Sequence, residues 1–213
     1  MNIEAYNKLA EECKEQNITL VAVSKTKPVE DILSLYNLGH RDFGENYVQE
    51  LVEKEKQLPK DIRWHFIGHL QTNKVKQIVG IVELIQGVDS LRLLKEINKQ
   101  SGKINKAVNC LLQVHIAQEE TKFGLDENEL NEIFSNLSKE AMNNIKICGL
   151  MGMASFTDDT QEVRKEFQYL RSQFDRYKGL PIISMGMTAD YKIAIEEGSN
   201  MIRIGSLIFG ERN

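Results

Sequence analysis

Cysteine, proline and tryptophan are all scarce here: three, three and one among 213 residues. Cys13, Cys110 and Cys148 are odd in number and lack CxxC spacing, which argues against a disulfide framework or a zinc site and fits a reducing compartment. An excess of one charge is missing too. The 27 basic and 31 acidic residues are interspersed, with a formal net charge of −4, so no surface for nucleic acid or an anionic membrane is expected. No apolar run reaches the ~20 residues of a membrane helix; the nearest is broken by Glu83 and Gln86. The N-terminus lacks the basic start and apolar stretch of a signal peptide. Absent as well are GxxxxGK(S/T), GxGxxG and GxSxG, the patterns of common nucleotide cradles and serine hydrolases. These absences predict a soluble cytoplasmic protein with neither nucleic acid nor membrane as partner.

What is present is alternation. A helical stripe of Ile3, Tyr6, Leu9 and Ala10 precedes Ile18-Thr-Leu-Val-Ala-Val23, a nearly continuous apolar run rich in β-branched residues. Such a run predicts a strand buried on both faces. Pro28 is expected in the first turn of a helix continued by Val29, Ile32, Leu33, Leu35 and Tyr36. The pattern then repeats. Strands are predicted at 41–44, 63–67, 82–85, 107–116, 145–151, 180–184 and 201–205. Helices are predicted over 47–58, after Asn73, from the N-cap Ser90, and over 127–139, 160–178 and 191–197. About eight strands, each but the last followed by a helix, predict a single (β/α)8 TIM barrel domain over residues 1–213 with an extra N-terminal helix. A doubly wound open sheet is the alternative, because periodicity does not establish closure.

In such barrels chemistry sits at the C-terminal ends of the strands. Lys25 ends the first predicted strand, where partial burial and the neighbouring Lys27 favour an uncharged amine able to form a Schiff base. The plain alternative is a rim lysine with its ammonium in water. Lys27 is the rival anchor, expected to be the more exposed of the two. Ser184-Met-Gly-Met-Thr188 and Gly205-Ser206 close the last two βα units, where barrels often cradle phosphate, although ordinary turns need glycine as well. Arg203 lies inside an apolar strand and must have a partner, either a salt bridge or a ligand. His65 and His69 have i, i+4 spacing, but Gly68 breaks the helix a metal pair would need; His40 and His115 stand alone and read as structural.

Several segments carry a resemblance: Val21-Ala-Val-Ser-Lys-Thr-Lys-Pro28, Phe43-Gly-Glu-Asn-Tyr-Val-Gln-Glu50, Trp64-His-Phe-Ile-Gly68, Gly149-Leu-Met151, Ser184-Met-Gly-Met187 and Ile202-Arg-Ile-Gly205. In this order they resemble the pyridoxal phosphate homeostasis proteins of the YggS/PROSC type, the PLP-binding barrel proteins. The resemblance implies a barrel like the N-terminal domain of alanine racemase (PLP fold type III), with pyridoxal 5'-phosphate (PLP) held as an aldimine on Lys25. By the same resemblance Arg203 faces the pyridine nitrogen. Ser184, Gly186, Met187, Gly205 and Ser206 cradle the phosphate, and Asn46 and His65 line the pocket. No metal is implied. An arginine keeps its proton, so the ring nitrogen stays unprotonated and the cofactor is a weaker electron sink. Racemases of this barrel add a second domain and a partner subunit's tyrosine, and 213 residues leave no room for that domain.

The implied role is a monomeric, non-catalytic PLP carrier in vitamin B6 homeostasis, with PLP-dependent apoenzymes as recipients. A small fold-type-III racemase-like enzyme is the alternative, and a Schiff-base aldolase on a phosphate-binding barrel is a third reading. The chain departs from the family pattern at Thr188-Ala-Asp-Tyr-Lys192. Thr188 can replace the usual serine hydroxyl, whereas Ala189 and Lys192 stand where acidic residues are usual and alter the electrostatics beside the phosphate.

Overall fold

The computed structural model describes residues 1–119, 123–137 and 142–210. Its strands are β1 (Thr19–Val23), β2 (Asp42–Glu45), β3 (Arg63–Phe66), β4 (Leu84–Val88), β5 (Val108–Gln113), β6 (Ile145–Met151), β7 (Ile182–Ser184) and β8 (Met201–Ile204). Each pairs in parallel with the next, and Thr19 to Ala22 pair with Met201 to Ile204, which closes the barrel and excludes the open sheet. The helices are α1 (Ile3–Glu15), α2 (Val29–Asn37), α3 (Val48–Gln57), α4 (Val75–Ile78), α5 (Leu91–Lys103), α6 (Glu127–Leu137), α7 (Thr160–Arg176), α8 (Tyr191–Glu196) and α9 (Ser206–Phe209). Among the described residues no helix is long and apolar enough to cross a membrane.

Local chemistry sets the helix starts. Asn2 Oδ1 accepts from Ala5 N–H, Ser90 Oγ from Leu93 N–H, and Asp159 from the N–H groups of Gln161 and Glu162. The apolar stripe of α1 buries Tyr6, Leu9 and Cys13, and Asn2 N–H donates to the Ile208 carbonyl at 2.7 Å, tying the extra helix to α9. Strand alternation divides the core in two. Ala22, Phe43, Phe66, Leu112 and Ile202 belong to the large cluster that takes in the helices, and Val21, Leu84, Leu111, Met151 and Met201 form a smaller one. Phe43, Phe66 and Phe167 are fully buried, each contributing roughly 1.5–3 kcal/mol by area.

The structure moves several expected boundaries. Pro28 is not in the first turn but precedes it as the N-cap, with φ −69° and ψ 161°. The segment after Asn73 is only a short 3-10 turn (Thr72–Lys74) leading into the single turn of α4. β4 runs over Leu84–Val88 instead of 82–85, and all five of its residues are buried, Gln86 included. β8 is followed by α9, where no closing helix is expected. The expected end of α6 at Lys139 lies outside the described residues.

Candidate functional site

β7, β8, β1 and β2 are successive around the barrel, and their C-terminal ends bring most of the expected site residues together. Val21 pairs with Arg203 and Val23 with Gly44, so Lys25, just beyond β1, is flanked by the segments carrying Gly205 and Asn46. Asn46 Oδ1 is buried and has no partner among the described residues. Gly68 is required beside it: a Cβ at that position would come within 2.3 Å of the Asn46 carbonyl oxygen.

The turn bearing Lys25 is strained and held from below. Thr26 has φ +63°, unusual for a β-branched residue. Its N–H donates to Glu50 Oε1 at 2.6 Å, while Lys27 N–H folds back onto the Ser24 carbonyl at 3.0 Å. That turn leaves Lys27 half-buried, as Lys25 is. Beneath the turn, Lys54 Nζ donates to the Ser24 carbonyl (2.7 Å), Glu45 Oε1 (2.8 Å) and Glu50 Oε1 (2.6 Å). Ser24 Oγ donates to the same Glu45 oxygen at 2.6 Å. Burial pushes the Glu45 carboxyl up, against the pull of Lys54 and Ser24. Sequence reasoning missed Glu50 and Lys54. The available signal was a lysine on the buried stripe of α3, with Val48 and Leu51.

At β7 and β8 the geometry redistributes the expected roles. Arg203 is buried; its Nη1 donates to Ser184 Oγ at 2.7 Å and its Nη2 to the Gly152 carbonyl at 3.0 Å. Burial lowers its guanidinium to about 10, partly offset by the charge of Asp190. In place of the expected salt bridge, its protein partners are thus a hydroxyl and a carbonyl. Ser184 Oγ is fully buried and donates to Gln86 Oε1 at 2.7 Å, so its one proton is not available to a phosphate. Gly186 has φ +99°, and a Cβ there would meet Ala194 Cβ at 2.7 Å; the tight turn needs glycine. Met187 is exposed, but its N–H donates to Asp190 Oδ1 at 2.6 Å. Gly205 is half-buried, Ser206 exposed, Thr188 half-buried and Lys192 exposed.

His65 lies among the buried residues of the barrel, with Nε2 3.1 Å from Asp42 Oδ1 and Nδ1 3.1 Å from Gln86 Nε2. Both ring nitrogens thus have partners inside the barrel. His69 pairs with Asp89 at 2.8 Å and stacks on Phe123. His40 is packed edge-on between Tyr6 and Phe43, a structural role as expected. Among the described residues no cluster of three or more His, Cys, Asp or Glu could hold a metal.

Fold comparison defines the class first: this is a parallel barrel of the alanine racemase type. Alanine racemase of Clostridium difficile superposes with TM-score 0.78 at 14% identity, over 100% of this chain and 58% of that one, a likeness of fold alone. The family model described as alanine racemase, N-terminal domain, matches residues 2–213. A pyridoxal phosphate homeostasis protein of Aquifex aeolicus is 42% identical over 199 residues, covering 91% of this chain and 86% of the relative. The structure of PipY from Synechococcus elongatus, with PLP bound, has TM-score 0.86 at 31% identity, over 97% of this chain and 100% of that one. The chain belongs to the alanine racemase N-terminal domain family and, within it, to the pyridoxal phosphate homeostasis proteins.

Proposed function

We propose that this chain binds PLP at the barrel mouth through Lys25 and holds it for delivery to PLP-dependent apoenzymes, without turning over a substrate. The observation that carries the reading is the meeting of four features on adjacent strand ends: an amine, a glycine turn, a buried guanidinium and an unpartnered amide oxygen. The residues fit the cofactor, because Asn46 Oδ1, buried at the mouth, has no donor among the described residues. PLP supplies an aldehyde that condenses reversibly with a primary amine, and a pyridine ring that can withdraw electrons.

Each side chain then has a task. Lys25 supplies the amine, on a turn fixed by the Lys54 cluster. Gly186, Met187, Gly205 and Ser206, with Thr188 beside them, form the cradle for the phosphate. Asn46 accepts from a polar group at the mouth. Arg203 donates to the ring nitrogen and, as a guanidinium, withholds the proton that would make the ring a strong electron sink. That last property disfavours transaminase-like chemistry, and the homeostasis role named for the relatives supports carriage. The three buried free cysteines accord with the reducing cytoplasm.

The test is borohydride reduction of the PLP-loaded protein followed by peptide mass spectrometry. A PLP-sized adduct on Lys25, lost together with the yellow colour in Lys25→Ala, is expected. A protein that cannot be loaded, or an adduct confined to Lys27, overturns the assignment. Sustained racemisation of an amino acid, abolished by Lys25→Ala, would instead favour the racemase-like reading.

A further inference from the structure

We propose that Gln86 is a positioning residue for the cofactor: it sets the direction of a hydrogen-bond chain crossing the barrel from Arg203 through Ser184, Gln86 and His65 to Asp42. Through that chain it holds Arg203 toward the ring nitrogen of PLP. The proposal rests on the reading of Arg203 given above.

Proton counting gives the chain one consistent direction. A guanidinium only donates, so Ser184 Oγ accepts from Arg203 Nη1 at 2.7 Å. A hydroxyl has one proton, which therefore goes to Gln86 Oε1 at 2.7 Å. This orients the amide, turning Gln86 Nε2 toward His65 Nδ1 at 3.1 Å and Met201 Sδ at 3.2 Å. Both of those atoms can accept, so the reversed amide would lose donors on one side and gain a surplus on the other. His65 Nδ1 is then an acceptor, and the ring proton sits on Nε2, 3.1 Å from Asp42 Oδ1. Asp42 is an anion at the start of β2, paired also with Arg63. Every donor thus points from the cation toward the anion. Dipoles aligned this way polarise one another and strengthen each bond in a low-dielectric interior.

The setting makes the chain unusual. Gln86 and Ser184 are fully buried, and His65 and Arg203 nearly so. The same barrel buries Val21, Leu84, Leu111 and Met201 as an apolar cluster, the kind of filling that normally suffices for such an interior. The chain runs from β8 and β7 across to β4, β3 and β2, so its far end lies well away from the mouth. Among the described residues Arg203 uses two of its five N–H groups, on Ser184 and Gly152, so donors remain for a ligand. Its rotamer is held by those two anchors, and Gln86, by taking the Ser184 proton, keeps the hydroxyl's lone pairs turned toward the guanidinium.

The experiment uses the whole chain loaded with PLP labelled at the ring nitrogen. It reads that nitrogen's NMR shift, the phosphorus shift and the PLP dissociation constant. Arg203→Met serves as the reference for a lost partner. Gln86→Met and Ser184→Ala are expected to move the ring-nitrogen resonance toward the Arg203→Met value, with the phosphorus resonance unchanged. PLP binding is expected to weaken roughly tenfold, equal to about 1.4 kcal/mol. Gln86→Glu keeps an acceptor facing Ser184 and is expected to restore most of the nitrogen shift, a rescue that mere filling of space would not produce. Ser184→Ala deletes one oxygen and decides the matter even if Gln86→Met fails to fold. An unmoved ring nitrogen in Ser184→Ala overturns the proposal, as does a phosphorus shift that moves in its place. If Arg203→Met also leaves the nitrogen unmoved, the reading of Arg203 fails as well; if Arg203→Met moves it, only the chain is refuted.

Discussion

Substituting Lys54 by methionine keeps a long unbranched side chain between α3 and the barrel and removes one charge with three hydrogen bonds. The Lys54 side chain is 7% exposed and that of Glu45 0%, so this is a buried pair, not a surface one. Without the ammonium, Glu45 keeps only the Ser24 hydroxyl among the described residues, and its Oε2 already lacks a partner there. Removing one member of a buried pair costs about 3–5 kcal/mol, because the other charge stays desolvated. The Ser24 carbonyl loses its ammonium donor in the same step, and Glu50, which fixes Thr26 at φ +63°, loses its cation.

The cost depends on pH with a definite sign. Burial already raises the Glu45 carboxyl, and Lys54→Met raises it further. A carboxyl whose folded value lies above its unfolded one binds more protons when folded, so stability falls as pH rises through that interval. The loss should therefore be smallest at and below pH ~4.3, the ordinary glutamate value, and largest above the raised folded value. Urea denaturation of Lys54→Met at acidic and neutral pH reads both effects. The double variant Lys54→Met, Glu45→Gln removes both charges of this buried pair and should recover roughly 1–3 kcal/mol. A single variant costing under about 1 kcal/mol at neutral pH, or a double variant no more stable than the single, would refute the reasoning.

Two further perturbations test other parts of the molecule. Burial works to raise the Asp42 carboxyl, but hydrogen bonds from His65 and Arg63 outweigh it and hold the group far below the usual carboxylate range. Its stabilising contribution is thus complete above pH ~3.9 and lost as pH falls toward the folded value. Asp42→Asn should flatten the acid limb of a urea-midpoint against pH plot, and an unchanged slope speaks against the pairing. Gly186→Ala forces an L side chain to φ +99° and sets its Cβ 2.7 Å from Ala194 Cβ and 3.0 Å from Tyr191 Cα. A loss of roughly 2 kcal/mol or more is expected, with weakened PLP binding; an unaltered Tm would show that the turn can relax.

The barrel was readable because its signal is repetitive: apolar β-branched runs alternate with amphipathic helices, and eight such units admit few architectures. Finer boundaries went astray where a polar residue sits inside an element. Gln86 reads as a break in an apolar run, which shifts the expected strand to 82–85; it is in fact the centre of a strand buried at all five positions. Hydropathy registers the type of a side chain and not whether a partner awaits it. For the same reason the Ser184 hydroxyl could be assigned to a phosphate from its place on β7, while its actual proton path to Gln86 depends on a contact with a residue 98 positions away.

The exceptions nevertheless share a logic. Lys54 occupies the apolar stripe of α3, His65 an inner position of β3, Gln86 the middle of β4 and Arg203 the middle of β8. Each is polar where its element calls for an apolar residue, and each is buried, so each must be matched by partners or destabilise the fold. Their partners sort them into two networks. One ends beneath the turn that presents Lys25, the other on Arg203. These are the two points where the proposed ligand would be held, by its aldehyde carbon and by its ring nitrogen. Departures from the hydrophobic pattern thus mark the supports of the site more specifically than the residues at the strand ends do.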